Sequence, residues 1–246
     1  MKEGELLMKN DSVCGVGKKD VLNFFLKVTF RNQWDSISKA KNADEVAIAC
    51  LRLGFADAFG RTTKNRTEPE TTLDKLAEDK EVLNTFREYV KANDTQKRVE
   101  VIQQHKNKLN EIFGKVKDTK EKPLCFGHYQ KLFNMAVKLY LCIYIYCDEF
   151  DNDWLNVSKE KLKEYVPGSA DCPIDNKIKE SVYKDLNAGK ADGFDKKEIE
   201  IGAWSKLDTE EDLKRYINLQ NRIREICKKD ALAYDFDAWQ VGKAMN

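Results

Sequence analysis

One stretch governs what this chain can fold into: residues 127–147, GHYQKLFNMAVKLYLCIYIYC. From Leu139 to Cys147 every residue is apolar, aromatic or cysteine. A helix that is apolar all round belongs inside a protein. At nine residues the run is well short of the roughly 20 that a membrane span needs. It therefore predicts a central, buried helix rather than a membrane anchor. The first half of the same helix carries Gln130, Lys131, Asn134 and Lys138. At about 100° per residue these four fall within an arc of about 100°. The predicted central helix thus presents a narrow seam of two amines and two amides. Burying an ammonium is costly unless it is paired or lines a wet cavity. The seam is therefore either a site or a strip at the helix's exposed end.

The rest of the chain reads as helices packed around this one. Only 4 prolines and 12 glycines punctuate 246 residues, too few for the turns of an all-β protein. Apolar residues recur at helical spacing over about 18–31, 72–91, 94–114, 174–188, 209–228 and 231–243. Another helix begins near Asn42 or Asp44 and carries Val46, Ile48, Cys50, Leu51 and Leu53. A short one is expected at 158–165, closed by Pro167-Gly168, and residues 189–205 are expected to be loop. The fold class is all-α, with about nine helices in a compact unit over residues 1–246, organised as one body or two helical lobes. There is no βαβ alternation, which argues against parallel-sheet nucleotide folds.

Charge sets limits on partners. Basic and acidic residues nearly cancel, 43 against 42, for a net charge of +1. A protein that holds nucleic acid by charge alone is more basic. One local candidate is residues 97–122, where eight lysines and arginines face four acids; a run of this kind is ordinarily a solvated helix face. The seven cysteines are odd in number and irregularly spaced, as expected of reduced thiols in a cytoplasmic protein. The first residues, MKEGELLMKND, lack the apolar stretch of a signal peptide.

Two short segments carry the strongest hint of chemistry. One is Gly127-His-Tyr-Gln-Lys131-Leu-Phe-Asn134; the other is Cys172-Pro-Ile-Asp175-Asn-Lys-Ile178. Together they resemble the helix-hairpin-helix superfamily of DNA glycosylases. That family has a Gly-x-Gly-x-Lys-x-x-Asn-like hairpin entering one helix and an apolar-Pro-apolar-Asp turn entering another. The resemblance covers about 15 residues. It places Gly127 on the first hairpin glycine, Lys131 on the lysine that bifunctional members use as nucleophile, Asn134 on a helix asparagine and Asp175 on the catalytic aspartate. It implies double-stranded DNA as partner; no cofactor is expected, and with two histidines and no second cysteine pair at metal spacing no metal is expected either. Gly127, His128, Tyr129, Gln130, Asn134, Lys138 and Trp204 would contact the nucleic acid, and Tyr129 or Trp204 would stack on a base. The target nucleotide would leave the duplex, and Lys131, desolvated by burial, would form a Schiff base on the sugar. Asp175 at its helix start would stabilise the cationic sugar. Three departures stand out. Tyr129 replaces the second glycine, the Lys131–Asp175 separation is a long 44 residues, and the four-cysteine iron–sulfur motif is absent.

Other chemistry is weaker. Cys125 and His128 make at most half a metal site or an incomplete Cys–His nucleophile. Gly15-Val-Gly17-Lys18-Lys19 has the look of a hairpin or anion-binding turn, more simply a helix cap, and is too short for a P-loop. Asp235 and Asp237 lie two apart and so point to different sides of their helix. The non-enzymatic alternative is a helical interaction module in which the polar seam fixes packing.

Overall fold

The computed structural model describes residues 12–13, 16–17, 26–30, 33–59, 79–113, 123–149, 155–190 and 195–241. The fold is all-α, as the sequence predicts. Its non-helical pairing among these residues is a two-residue antiparallel ladder, β1 (Ser12–Val13) with β2 (Val16–Gly17), in the register Ser12↔Gly17. Val16 and Gly17 thus form part of a hairpin; Gly15, Lys18 and Lys19 lie outside the described residues. Residues 26–30 are helical. Then come α1 (Trp34–Lys39), α2 (Ala43–Phe59), α3 (Lys80–Lys91) and α4 (Thr95–Ile112). The central helix α5 (Phe126–Glu149) is the longest, at 24 residues. It is followed by α6 (Lys159–Leu162), α7 (Asn176–Asn187), α8 (Lys196–Ile199), α9 (Glu210–Cys227) and α10 (Ala231–Val241). No helix among the described residues is long and apolar enough to cross a membrane.

Residue patterning explains these elements. In α3, Val82, Phe86, Tyr89 and Val90 stack on one side at spacings of four, three and one and are buried. The Asp79 side chain caps this helix by accepting from the Glu81 amide at 2.9 Å. Asp94 does the same for α4, through the Lys97 amide at 2.8 Å. Helix α2 buries small residues, Ala43, Ala47, Ala49, Cys50, Gly54 and Ala58, among its larger ones. That lets it lie close along α5, with which it makes the most extensive helix pairing. A Cβ at Gly54 would come 2.7 Å from the Leu132 carbonyl oxygen, so the two backbones nearly touch there.

Helix α9 starts from the N-cap Thr209, where the sequence range begins, through a reciprocal cap. The Thr209 hydroxyl accepts from the Asp212 amide at 3.2 Å, and the Asp212 carboxylate accepts from the Thr209 amide at 3.1 Å. Burial pushes the Asp212 carboxyl up, but hydrogen bonds from Thr209 and from the Asp208 amide outweigh this and hold it below the usual carboxylate range. Thr209→Ala is expected to cost about 1 kcal/mol in urea unfolding at pH 7. A carboxylate with a depressed folded pKa stabilises above its unfolded pKa of about 4, and that contribution fades as the pH falls through the lower folded value. The difference between wild type and Thr209→Ala should therefore narrow on acidification below pH 4.

Two expectations are corrected. Residues 189–205 are not all loop: Asp195 caps the four-residue helix α8, and residues 204–206 form a 3₁₀ turn. Ile199 and Ile201 are buried there. Elements of three or four residues are too short to show a period, so the sequence pattern missed them. The polar seam of α5 is also not a strip at an exposed helix end. Ile145, in the apolar half, is 53% exposed, whereas Gln130 and Asn134, in the polar half, are 0% and 1% exposed. Side-chain polarity alone misleads here. Burying amines and amides costs little once each meets a partner, and elements far along the chain supply those partners.

Candidate functional site

The first turn of α5 is fixed by three backbone amides. Phe126 N donates to Asp208 Oδ1 at 2.9 Å, Gly127 N to the Leu207 carbonyl at 3.0 Å, and His128 N to the Cys125 carbonyl at 3.1 Å. Asp208 also receives Lys106 Nζ at 2.7 Å on each oxygen. At Gly127, a Cβ would sit 1.7 Å from the Trp204 carbonyl oxygen. Only a glycine lets the 3₁₀ turn lie against the helix at this point. The turn then holds the Trp204 ring over Lys131, one helical turn further on, with Nζ 5.6 Å from the ring centroid.

Lys131 is the centre of the site. Its Nζ lies 3.0 Å from Asp175 Oδ2 and 3.3 Å from Asp57 Oδ2. Asp175 is the N-cap of α7, and its other oxygen accepts the Ile178 amide at 2.9 Å. The three side chains form a gradient from interior to solvent: Lys131 is 6% exposed, Asp175 19% and Asp57 43%. Two turns along α5, Lys138 pairs with the buried Asp235 of α10, and Lys138 Nζ lies 4.8 Å from the Phe236 ring centroid. Burial holds the Asp235 carboxyl above its usual range even though Lys138 draws it down; Asp175 and Lys131 also act on it, in opposite senses. The two amine–carboxylate pairs are thus electrostatic neighbours along one side of α5. Asp237 is exposed on the other side of α10, as the two-residue spacing requires.

Behind the pairs lies a buried network. Asn134 donates to Gln130 Oε1 and to the Tyr216 hydroxyl, both at 3.2 Å, and accepts from the Tyr89 hydroxyl at 2.6 Å. Gln130 donates to the Gly127 carbonyl at 3.2 Å. Below them Asp171, with no exposed side-chain surface, accepts through Oδ1 from Thr95 at 2.7 Å, Arg98 at 3.0 Å and Arg224 at 2.5 Å. Arg98 continues to the carbonyls of Ala92, at 2.8 Å, and Ser169.

The structure therefore brings together Lys131, Asp175 and Trp204 of the residues singled out from sequence, with Lys138 beside them. It buries most of the others. Tyr129 is interior, with its hydroxyl donating to Asn110 at 3.0 Å and its ring against Phe113. Gln130 and Asn134 are taken up by the network, and the Gly127 amide by Leu207. These four line no nucleic-acid surface in this conformation, because their polar atoms already have protein partners. Gly127 serves close packing on Trp204 rather than approach to a phosphate. His128 is buried between Phe59 and Trp204 and borders a cleft of about 530 Å³ with Lys106, Asn110, Cys125, Ser205 and Asp208. Its Nδ1 is 3.1 Å from Cys125 Sγ, but that thiol donates to the Ser205 carbonyl, and burial pushes it up to about 11, which disfavours the thiolate a nucleophile needs. Among the described residues no group of three or more His, Cys, Asp or Glu side chains is placed to hold a metal ion.

The basic run is neutralised where it is described: Lys97 by Asp94, Arg98 by Asp171, Lys106 by Asp208 and Lys108 by Glu111. Residues 115–122 of that run lie outside the described residues. Sequence reading missed Asp57, Asp171 and the pairing of Asp235. Asp57 leaves one trace, an acid inside the otherwise apolar run LGFADAF. No protein-family model, curated protein or solved structure matches the chain.

Proposed function

We propose that the Lys131–Asp175 pair is the reactive centre of a DNA-acting enzyme of glycosylase type. The observation that supports this reading is the 3.0 Å contact between an amine and a carboxylate 44 residues apart, with a second, partly exposed carboxylate beside the amine and an indole ring over it. Only a neutral amine has the lone pair that attack requires, so an ammonium must first lose a proton. Attack on C1′ of an extruded nucleotide forms the N–C1′ bond as the glycosidic bond breaks, and the departing base takes the electron pair and a proton. The Asp175 carboxylate, fixed at the start of α7 by the Ile178 amide, faces the positive charge that develops on the sugar. Trp204 offers an aromatic face for the extruded nucleotide.

Borohydride trapping on abasic-site duplex DNA tests the reading. A covalent adduct is expected with the wild type and should fall to background with Lys131→Ala. A second reading, a non-catalytic helical interaction module, is favoured by one observation: the Asn134–Gln130–Tyr216 seam is satisfied within the chain. Absence of an adduct, together with no duplex binding at low salt, would select it.

A further inference from the structure

We infer that Asp57 is the proton-transfer residue for Lys131, taking the proton that the amine must lose and returning it to the departing group. The inference rests on the reading of Lys131 as the reactive amine. Two carboxylates flank one nitrogen, and their surroundings differ. Asp175 is held on both oxygens, one by Lys131 and one by the Ile178 amide, and is mostly buried. A carboxylate fixed in that way is suited to hold its position opposite a cation. Asp57 lies 3.3 Å from the same nitrogen with 43% of its side chain exposed, so water reaches its carboxylate directly. Its position is built by the fold: Gly54, one turn earlier on α2, allows the backbone contact with Leu132 that brings Asp57 over Lys131. The other charged or titratable groups near the amine are Asp235 and Lys138 to one side and the buried Cys172 thiol beneath. Those three lie in the interior or in a closed pair.

In imine formation the steps balance as follows. Asp57 accepts one proton from the ammonium, and the free amine adds to the aldehyde carbon. A second nitrogen-bound proton passes to the carbonyl oxygen, giving a carbinolamine. Asp57 returns its proton to that hydroxyl, which leaves as water. The product is a protonated imine, and Asp57 is again a carboxylate. In base excision the same proton goes to the leaving base.

The test measures single-turnover imine formation at Lys131 with two aldehydes, abasic-site DNA and glycolaldehyde. Adducts are trapped by cyanoborohydride and assigned by peptide mass. Asp57→Ala, a change at a half-exposed position expected to leave Tm unaltered, should slow both reactions about 10²-fold. Added formate should restore about ten-fold in a concentration-dependent way, whereas Asp175→Ala should not be rescued. An Asp57→Ala rate within two-fold of wild type, or a loss that formate leaves unchanged, overturns the inference while leaving the glycosylase reading intact. Reaction of the wild type with glycolaldehyde but not with abasic DNA, with formate rescue of Asp57→Ala, overturns the glycosylase reading and supports the role of Asp57. Glycolaldehyde labelling of wild-type Lys131 no faster than that of exposed lysines, with no DNA adduct, overturns both.

Discussion

Asp171→Ala is expected to destabilise the protein by about 3–5 kcal/mol, a fall in Tm on the order of 10 °C. The carboxylate is the common acceptor for Arg98, Arg224 and Thr95. Arg98 itself is 2% exposed and cannot turn to water without opening the interface between α3, α4 and the turn before α7. Alanine would leave that guanidinium with carbonyl partners but no counter-charge, and a buried unpaired cation is the costly half of a broken pair. Asp171→Asn keeps the shape and one acceptor, so it should cost less than Asp171→Ala but still well over 1 kcal/mol. Urea unfolding of both variants checks the order. A loss below 1 kcal/mol for Asp171→Ala would mean that the arginines find water, and the network would not be the structural anchor described.

The second large effect is expected at Gly127. Glycine inside a helix normally costs up to 1 kcal/mol relative to alanine, so Gly127→Ala would ordinarily stabilise α5. Here the added methyl would lie 1.7 Å from the Trp204 carbonyl oxygen and 3.3 Å from the Leu207 Cβ. Backbone must move by more than 1 Å. That breaks the Gly127–Leu207 hydrogen bond and withdraws the indole from Lys131. Overpacking of this severity costs about 3 kcal/mol, which outweighs the propensity gain. Gly202→Ala, where a Cβ meets nothing within 4 Å, is the matched control and should change stability by less than about 0.5 kcal/mol. Thermal unfolding, with Trp emission followed in the native state, separates the two. Imine trapping should weaken in Gly127→Ala and not in Gly202→Ala.

The contrast between these glycines shows what a linear sequence discloses. The helix periods were legible because Val82, Phe86, Tyr89 and Val90 are local to one element. The starts of α7 and α9 were legible for the same reason. The meeting of Lys131 with Asp175 was legible only through the likeness of two short motifs to a known arrangement. What stayed hidden is non-local. Gly127 has the look of a phosphate-approach glycine, yet its neighbour is a carbonyl at Trp204. The depth of the amine seam could not be judged from α5, because Asp235 lies 97 residues after its partner Lys138. Asp57 was hidden because nothing in its own helix indicates that Gly54 brings that helix against Leu132.

The partners of the α5 seam come from α2, α3, the turn before α7, the start of that helix, α9 and α10. Rotating α5 by a single residue, about 100°, would carry both its lysines off their carboxylates at once. A purely greasy rod could settle at neighbouring angles for little energy, but a rod keyed at Lys131 and Lys138 has one seat. The seam therefore acts as an alignment key: the seating of α5 is set by segments that lie far from it along the chain.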